Sequence, residues 1–486
     1  MTSTTKYEKE VAEQMSGAVT IVVLGASGDL AKKKTFPALF RLYKYGLLPK
    51  KAHIIGYART KMDRTEYLSR VTEHIKDSRA DEFKEKTTYI DGQYDQDDSW
   101  EHLRRYVEEI ESKANIKSGE KNRIFYMALP PSVFLSVATG LKKHLYTTEG
   151  HVRIVIEKPF GRDTESCREL LTDVAQLFKE DEIYRIDHYL GKEMAKDIMT
   201  LRFANVIFKP LWTRQYIQSV QITLKEPFGT EKRGGYFDQF GIIRDVMQNH
   251  LLQLLSLLTM EQPASTGAQD VRNEKVRVLQ RISPIVAKDS LLGQYTSANG
   301  KPGYLEDDTL ENKKSNTPTF ASLVLWIDNE RWNGVPFILT AGKALDEAKV
   351  DIRIQFRNLV DSPYRNIAHN ELILRVQPDE GVHIRFNNKE PGLSEHIFQA
   401  SMDHVYKQQH KDLKIPDAYE TLILDVLRNN PSNFVRDDEL IAAWKIFTPL
   451  LHKIDQADSI KVHSYAYGSH GPELLEKFVS GYVSQD

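Results

Sequence analysis

The chain has a single cysteine, Cys167, in 486 residues. That excludes an internal disulfide framework and any cysteine-ligated zinc or iron–sulfur centre, and it fits a reducing compartment. A basic excess is missing as well. The 66 lysines and arginines face 68 aspartates and glutamates, a formal charge of −2, which argues against a dedicated nucleic-acid or membrane-surface binder. Long apolar runs are also absent: the greasiest stretch, 251–260, is short and is interrupted by Gln253, so nothing reads as a membrane span. The polar opening, 1–17, lacks the apolar core of a signal peptide, and no repeat or low-complexity tract is present. What remains is 41% apolar and 28% charged, the make-up of a soluble, cytoplasmic protein of about two or three domains.

Residues 1–16 read as a flexible lead-in. Four β-branched apolar runs follow, at 20–24, 53–57, 123–129 and 152–156, with helix-compatible segments between them. Runs apolar throughout suit strands buried on both faces of a parallel sheet, and their alternation with helices predicts a doubly wound α/β domain over 17–190. Beyond it the texture changes. Segments 217–224, 276–282, 321–327, 335–339, 350–356, 371–376 and 381–386 read as strands, several alternating apolar with polar, which predicts a large, mainly antiparallel sheet with one solvated face. Helices are expected at 241–260, 418–427 and 437–451, and loops at 261–272 and 295–319. The second unit, 191–486, is therefore a β+α domain.

The first run leads into Gly25, Ala26, Ser27, Gly28, Asp29 and Leu30, where a helix opens. Two glycines three apart serve a structural turn equally well. Between a buried strand and a helix, they also let the backbone approach a dinucleotide pyrophosphate at the helix N-terminus. The second run ends in Ala58, Arg59 and Thr60. An NAD site places an acidic side chain there, whereas an arginine suits the 2′-phosphate of NADP, unless Arg59 is simply a solvated charge.

A second signal is Asp187, His188, Tyr189 and Lys192, crowded within six residues, which reads either as an anion cradle or as a polar loop after a strand. In 241–260, His250 lies on the apolar stripe with Val246 and Met247, a place where a satisfied core histidine is common. If it is a base, Asp245 is a poor partner for its ring, because five residues of α-helix put the two roughly 140° apart. Asp187 is then the candidate that orients it.

The segments GASGDLAKKK (25–34), EKPFG (157–161), RIDHYLGKE (185–193) and EPFGTEKRGGYFDQFGIIRDVMQNHLLQ (226–253) resemble the hallmarks of the glucose-6-phosphate dehydrogenase family in a eukaryotic, fungal-like form. Weaker similarity continues through VPFILTAGKAL, LRVQP, IPDAYE and YGSHGP. The resemblance implies a Rossmann coenzyme domain joined to a β+α domain, assembled as a homodimer or homotetramer. It implies oxidation of C1 of glucose 6-phosphate to the δ-lactone with hydride transfer to NADP, and no metal. His250 would be the base and Asp187 its support, while the 25–30 turn, Arg59 and Lys158 would hold the coenzyme. Lys158 would also touch substrate, with His188, Tyr189 and Lys192 on the phosphate and Glu226, Asp245, Lys343 and Gln377 on hydroxyls or phosphate. Lys192, a protonatable His188 and Lys343 would oppose the phosphate charge. Ala348 stands where the family often has a basic residue, with Lys349 next to it. A second, structural NADP, for which Lys349, Arg353, Arg375 and Arg385 are available, is expected to be weak or absent, since His470 replaces an arginine and no tryptophan-bearing tail follows.

Overall fold

The structure, a computed structural model, describes residues 17–359, 361–364, 367–456 and 460–483; the lead-in expected at 1–16 lies outside the described residues. Two sheets organise the chain. The first is parallel and contains β1 (Ala18–Leu24), β2 (Lys51–Ala58), β3 (Thr87–Asp91), β4 (Lys121–Met127), β5 (Gly150–Ile156) and β6 (Ile183–Arg185), in the order β3-β2-β1-β4-β5-β6. Its central strands are buried on both faces, as continuous Val and Ile runs require. The order reverses between β1 and β4, whose ends Leu24 and Met127 are paired, and a crevice for a ligand opens beyond the carboxyl ends at such a reversal.

The second sheet holds β7 (Ile217–Lys225), β8 (Ser290–Thr296), β9 (Phe320–Leu325), β10 (Phe337–Gly342), β11 (Lys349–Phe356), β12 (Glu371–Gln377), β13 (Gly381–Lys389), β14 (Ile397–Val405) and β15 (Val462–Ala466). They run in the order β14-β13-β12-β11-β7-β10-β9-β8-β15. Only β7/β10 and β8/β15 are parallel pairs. The strand expected at 276–282 is instead the end of a helix, Ala268–Leu279, which also shortens the expected 261–272 loop. Val271, Lys275 and Val278 are buried at helical spacing, and that period overrides the local Val-Arg-Val alternation. Strands β3, β8, β14 and β15 carried no clear sequence signal. No residue of β14 is buried, so neither face imposes a pattern.

The last helices pack back onto the first sheet. Leu422, Ile423 and Val426, from the helix Ala418–Leu427, share an apolar layer with Val19, Ile21, Val23 and Phe36. The helix Asp437–Asp455 lies against Thr164–Leu177, and its Trp444 donates an indole N–H to Phe160 O at 2.8 Å. These contacts close the sheet edge from which the functional side chains project.

A buried ion pair braces β4. Arg123 binds Glu111 through two 2.7 Å bonds and caps Leu145 O at 2.7 Å, with both side chains 3% exposed. Glu111→Leu leaves that guanidinium buried and uncompensated, at a cost of about 3–5 kcal/mol. We expect a marked fall in the unfolding temperature, measured by calorimetry, and recovery of much of it in Glu111→Leu/Arg123→Met.

Candidate active site

The glycine turn is set by the protein's own backbone. Gly25 adopts φ +80°, and a β-carbon there would stand 2.2 Å from Ala128 O, so no other residue fits. The N–H groups of Gly25 and Ala26 bond Tyr57 O, and that of Gly28 bonds Gly25 O. Backbone donors for a ligand therefore come from the helix start at Asp29 and Leu30 rather than from the turn itself. Ala26 is fully buried, Leu30 packs on the core, and Asp29 pairs with Lys33 at 2.8 Å. Arg59 leans over the Tyr94 ring, 5.7 Å from its centroid. Arg70, which the sequence did not single out, donates to Ser27 O at 3.4 Å. A second guanidinium thus stands at the same mouth.

The reaction centre gathers at the carboxyl edge of β5 and β6. Asp187, just past β6, accepts from His250 Nδ1 at 2.7 Å and from Tyr189 N at 2.9 Å, both on Oδ1. His250 is 3% exposed, and its ring stacks on Tyr189 and meets His188 edge-on, each at 4.4 Å between centroids. Lys158, just past β5, points its ammonium at His250 Nε2 (3.1 Å), Asp245 O (2.7 Å) and Asp245 Oδ1 (3.2 Å). The structure thus brings Asp187, His188, Tyr189, His250, Lys158 and Asp245 into one cluster.

Asp245 belongs to this cluster because the expected helix over 241–260 is not regular. It breaks at Gly241 (φ +66°, ψ 172°), continues as a π-helix over Ile243–Leu251, and only then becomes the α-helix Leu252–Thr259. Lys158 and the Asn249 side chain both claim Asp245 O (2.7 and 3.0 Å), and Asn249 Oδ1 accepts from His250 N. These side-chain bonds gather where the turn is widened to π geometry. With i→i+5 bonding, residues five apart stack one turn on, so Asp245 and His250 share a side. The 140° separation expected above assumed α geometry and does not apply.

Lys192 donates to Gln377 Oε1 at 2.5 Å and lies 5.1 Å from the Tyr189 ring centroid. Among the described residues no carboxylate pairs with it, whereas Glu226 holds Lys343 at 2.5 Å. Burial holds the His188 imidazole well below its ordinary range, reinforced by His250 beside it, so in the free protein His188 is a neutral hydrogen-bonding ring rather than the cation expected from sequence. Burial would push Asp187 up, but the His250 imidazole brings it down to about 2. Burial also lowers His250, opposed by Asp187 and aided by Lys158. Glu157, absent from the sequence reading, is pushed up to about 7 by burial while accepting from Tyr126 Oη at 2.5 Å.

Chemically, this is an ionised carboxylate holding a neutral imidazole whose Nε2 lone pair faces the Lys158 ammonium. Asp187, His188 and His250 also place metal-ligating atoms within 4.8 Å of one another. Asp187 Oδ1 and His250 Nε2 are already engaged, however, by hydrogen-bond donors and a lysine cation. The geometry favours proton transfer at Nε2.

Known proteins are similar to this chain over nearly its whole length. Profiles for the NAD binding domain and the C-terminal domain of glucose-6-phosphate dehydrogenase match residues 22–197 and 199–484. A glucose-6-phosphate 1-dehydrogenase of Emericella nidulans is 54% identical over 477 residues, 96% of this chain and 92% of the relative. An Arabidopsis thaliana relative described as cytoplasmic is 47% identical, with 96% and 92% covered. A solved glucose-6-phosphate dehydrogenase in complex with its substrate glucose 6-phosphate superposes with a TM-score of 0.92 at 47% identity, covering 96% of this chain and 98% of that one.

The depressed His250 has a direct readout. Its imidazole should titrate below the ordinary 6.5 in 13C–1H spectra of histidine-labelled protein, with the signal assigned by its loss in His250→Asn. In Lys158→Met, removal of the facing cation should move that titration upward.

Proposed function

The chain belongs to the glucose-6-phosphate dehydrogenase family and is an oxidoreductase acting on the CH–OH group of glucose 6-phosphate; we propose that His250 is its general base and NADP its hydride acceptor. The observation that carries the first part is the 2.7 Å bond from His250 Nδ1 to Asp187. It leaves Nε2 as the free lone pair and fixes the ring plane. The C1 hydroxyl takes the place of the Lys158 ammonium at Nε2, while Asp245 O and Oδ1 retain that ammonium beside the reacting carbon. As the C1–H bond breaks, Nε2 takes the hydroxyl proton, C1–O becomes the lactone carbonyl, and the new imidazolium faces an ionised Asp187. Lys192, with no carboxylate of its own, supplies the charge for the sugar phosphate, and His188 and Tyr189 offer neutral donors beside it. Glu226, Lys343 and Gln377 complete the sugar pocket.

The coenzyme reading rests on the glycine turn, the helix start at Asp29, and the pair of guanidinium groups Arg59 and Arg70 where an NAD site would carry an acid. The chemistry the nucleotide supplies when bound is acceptance of the C1 hydride. We read the protein as a cytoplasmic homodimer or homotetramer. The unburied faces of β14, with Met402 62% exposed, support association through the second sheet.

His250→Asn should lower kcat by about 10²–10⁴-fold, while calorimetric binding of glucose 6-phosphate changes little; retention of most of the rate would remove His250 as the base. Arg59→Ala and Arg70→Met should each weaken NADP by about tenfold with little effect on NAD, read as kcat/KM for both coenzymes. Equal losses on the two coenzymes would sink the 2′-phosphate assignment.

A further inference from the structure

Asp187 uses only one of its carboxylate oxygens. Oδ1 accepts from His250 and Tyr189, while Oδ2 is buried and meets no donor among the described residues. The helix that carries His250 presents a matching atom. Gln253, 3% exposed, donates Nε2 to Glu439 Oε1 at 2.8 Å, and its Oε1 is also buried without a partner. The amide cannot be turned round, because that would set its oxygen against the Glu439 carboxylate. Glu439 is in turn fixed by Lys275 at 2.8 Å, with both side chains fully buried.

Asp187 and Gln253 line the same cavity, with Lys158, Asp245, Gln248 and Asn249. The space open to water-sized groups there is about 30 Å³, enough for one or two water molecules. Two buried acceptors lining one cleft without donors of their own call for a two-proton donor, and water is the simplest. We propose that Gln253 is a positioning residue of the reaction, holding a water that donates to its Oε1 and to Asp187 Oδ2 and so fixes the carboxylate that orients His250. The inference rests on the reading of His250 as base.

The arrangement runs without interruption from Lys275 through Glu439, Gln253 and the water to Asp187 and His250. The water's proton on Oδ2 keeps the carboxylate from swinging its unbound oxygen toward the imidazole and abandoning Tyr189 N. It also tempers the carboxylate's negative charge. With that donor gone, Asp187 attracts the imidazolium more strongly and His250 becomes easier to protonate.

The test is the pH dependence of kcat in Gln253→Leu, alone and combined with His250→Asn. We expect kcat to fall about tenfold with KM for glucose 6-phosphate within about twofold, and the acid limb to move up by about half a pH unit. In the His250→Asn background the substitution should add no further loss. Gln253→Met, which keeps the side-chain volume and removes the amide oxygen, should shift the limb in the same direction, and it serves if Gln253→Leu folds poorly. A high-resolution crystal structure should show the water within hydrogen-bond distance of both oxygens. An unshifted profile in both variants, an equal loss with and without His250, or a cavity free of ordered water would overturn the proposal. Full activity in His250→Asn alone would instead overturn the base assignment.

Discussion

One ammonium group determines the geometry around it. Lys158, delivered by the loop after β5, donates to Asp245 O and at the same time touches Asp245 Oδ1 and His250 Nε2. These contacts fall on the segment Ile243–Leu251, which is wound as a π-helix. That winding brings Asp245 and His250 to one side and sets the register at which Gln253 reaches Glu439. A lysine without those three acceptors would be costly to hold in a half-buried cleft. Asp245 O also accepts from Asn249 Nδ2 at 3.0 Å, so the widened turn offers Lys158 a partly satisfied acceptor.

The two sheets meet through this pair rather than through a hinge. Asp187 follows β6 of the parallel sheet, and His250 rides on a helix lying under β7 and β10, so the 2.7 Å bond between them joins the coenzyme edge to the second sheet. The C-terminal helices make that joint rigid. Tyr419 stacks over His188 at 6.0 Å, Trp444 bonds Phe160 O in the loop that carries Lys158, and Glu439 anchors Gln253. Segments at the far end of the chain therefore hold side chains near its middle. This is the order in which catalytic groups are fixed most firmly, by packed elements rather than loops.

The sequence made some of this legible and hid the rest for physical reasons. The buried parallel strands were readable because burial on both faces leaves one kind of pattern, an unbroken apolar run. The glycine turn and the Asp187–Lys192 crowd were readable because both are local. Apart from the family resemblance, Asp187 could be named as the partner of His250 only by excluding Asp245, and that exclusion rested on an α-helix that is not there. A π-helix touched by a lysine 87 residues away leaves no local trace except Gly241 and Asn249, which in a sequence look like ordinary helix weakeners. The run at 276–282 misled because valine alternates with arginine over a few residues, while the helical burial of Val271, Lys275 and Val278 shows only over a longer window. The charge of His188 was unreadable too. Adjacency in sequence suggested a cation, and burial against a second imidazole makes it neutral. The contacts of Arg70 with Ser27 and of Gln253 with Glu439 join residues far apart in the chain, which a local pattern does not show.

The electrostatics explain why so much charge is buried here. Before reaction, His250 and His188 are neutral and Asp187 is ionised, so the strongest interaction in the centre, carboxylate with imidazolium, does not yet exist. In the proposed reaction it appears only as Nε2 takes the hydroxyl proton. A group that meets charge at the moment it develops stabilises the transition state more than the bound substrate. Lys158 would enforce the same timing in that reaction, since its cation disfavours a protonated His250 until the C1 hydroxyl displaces it from Nε2. Lys192 differs in kind. Among the described residues it has no carboxylate in ion-pair contact, so in the proposed reaction it would attract the sugar phosphate equally before and during the chemistry and contribute to binding rather than rate. Binding charge and catalytic charge would then be carried by different lysines, of which only Lys158 touches the imidazole.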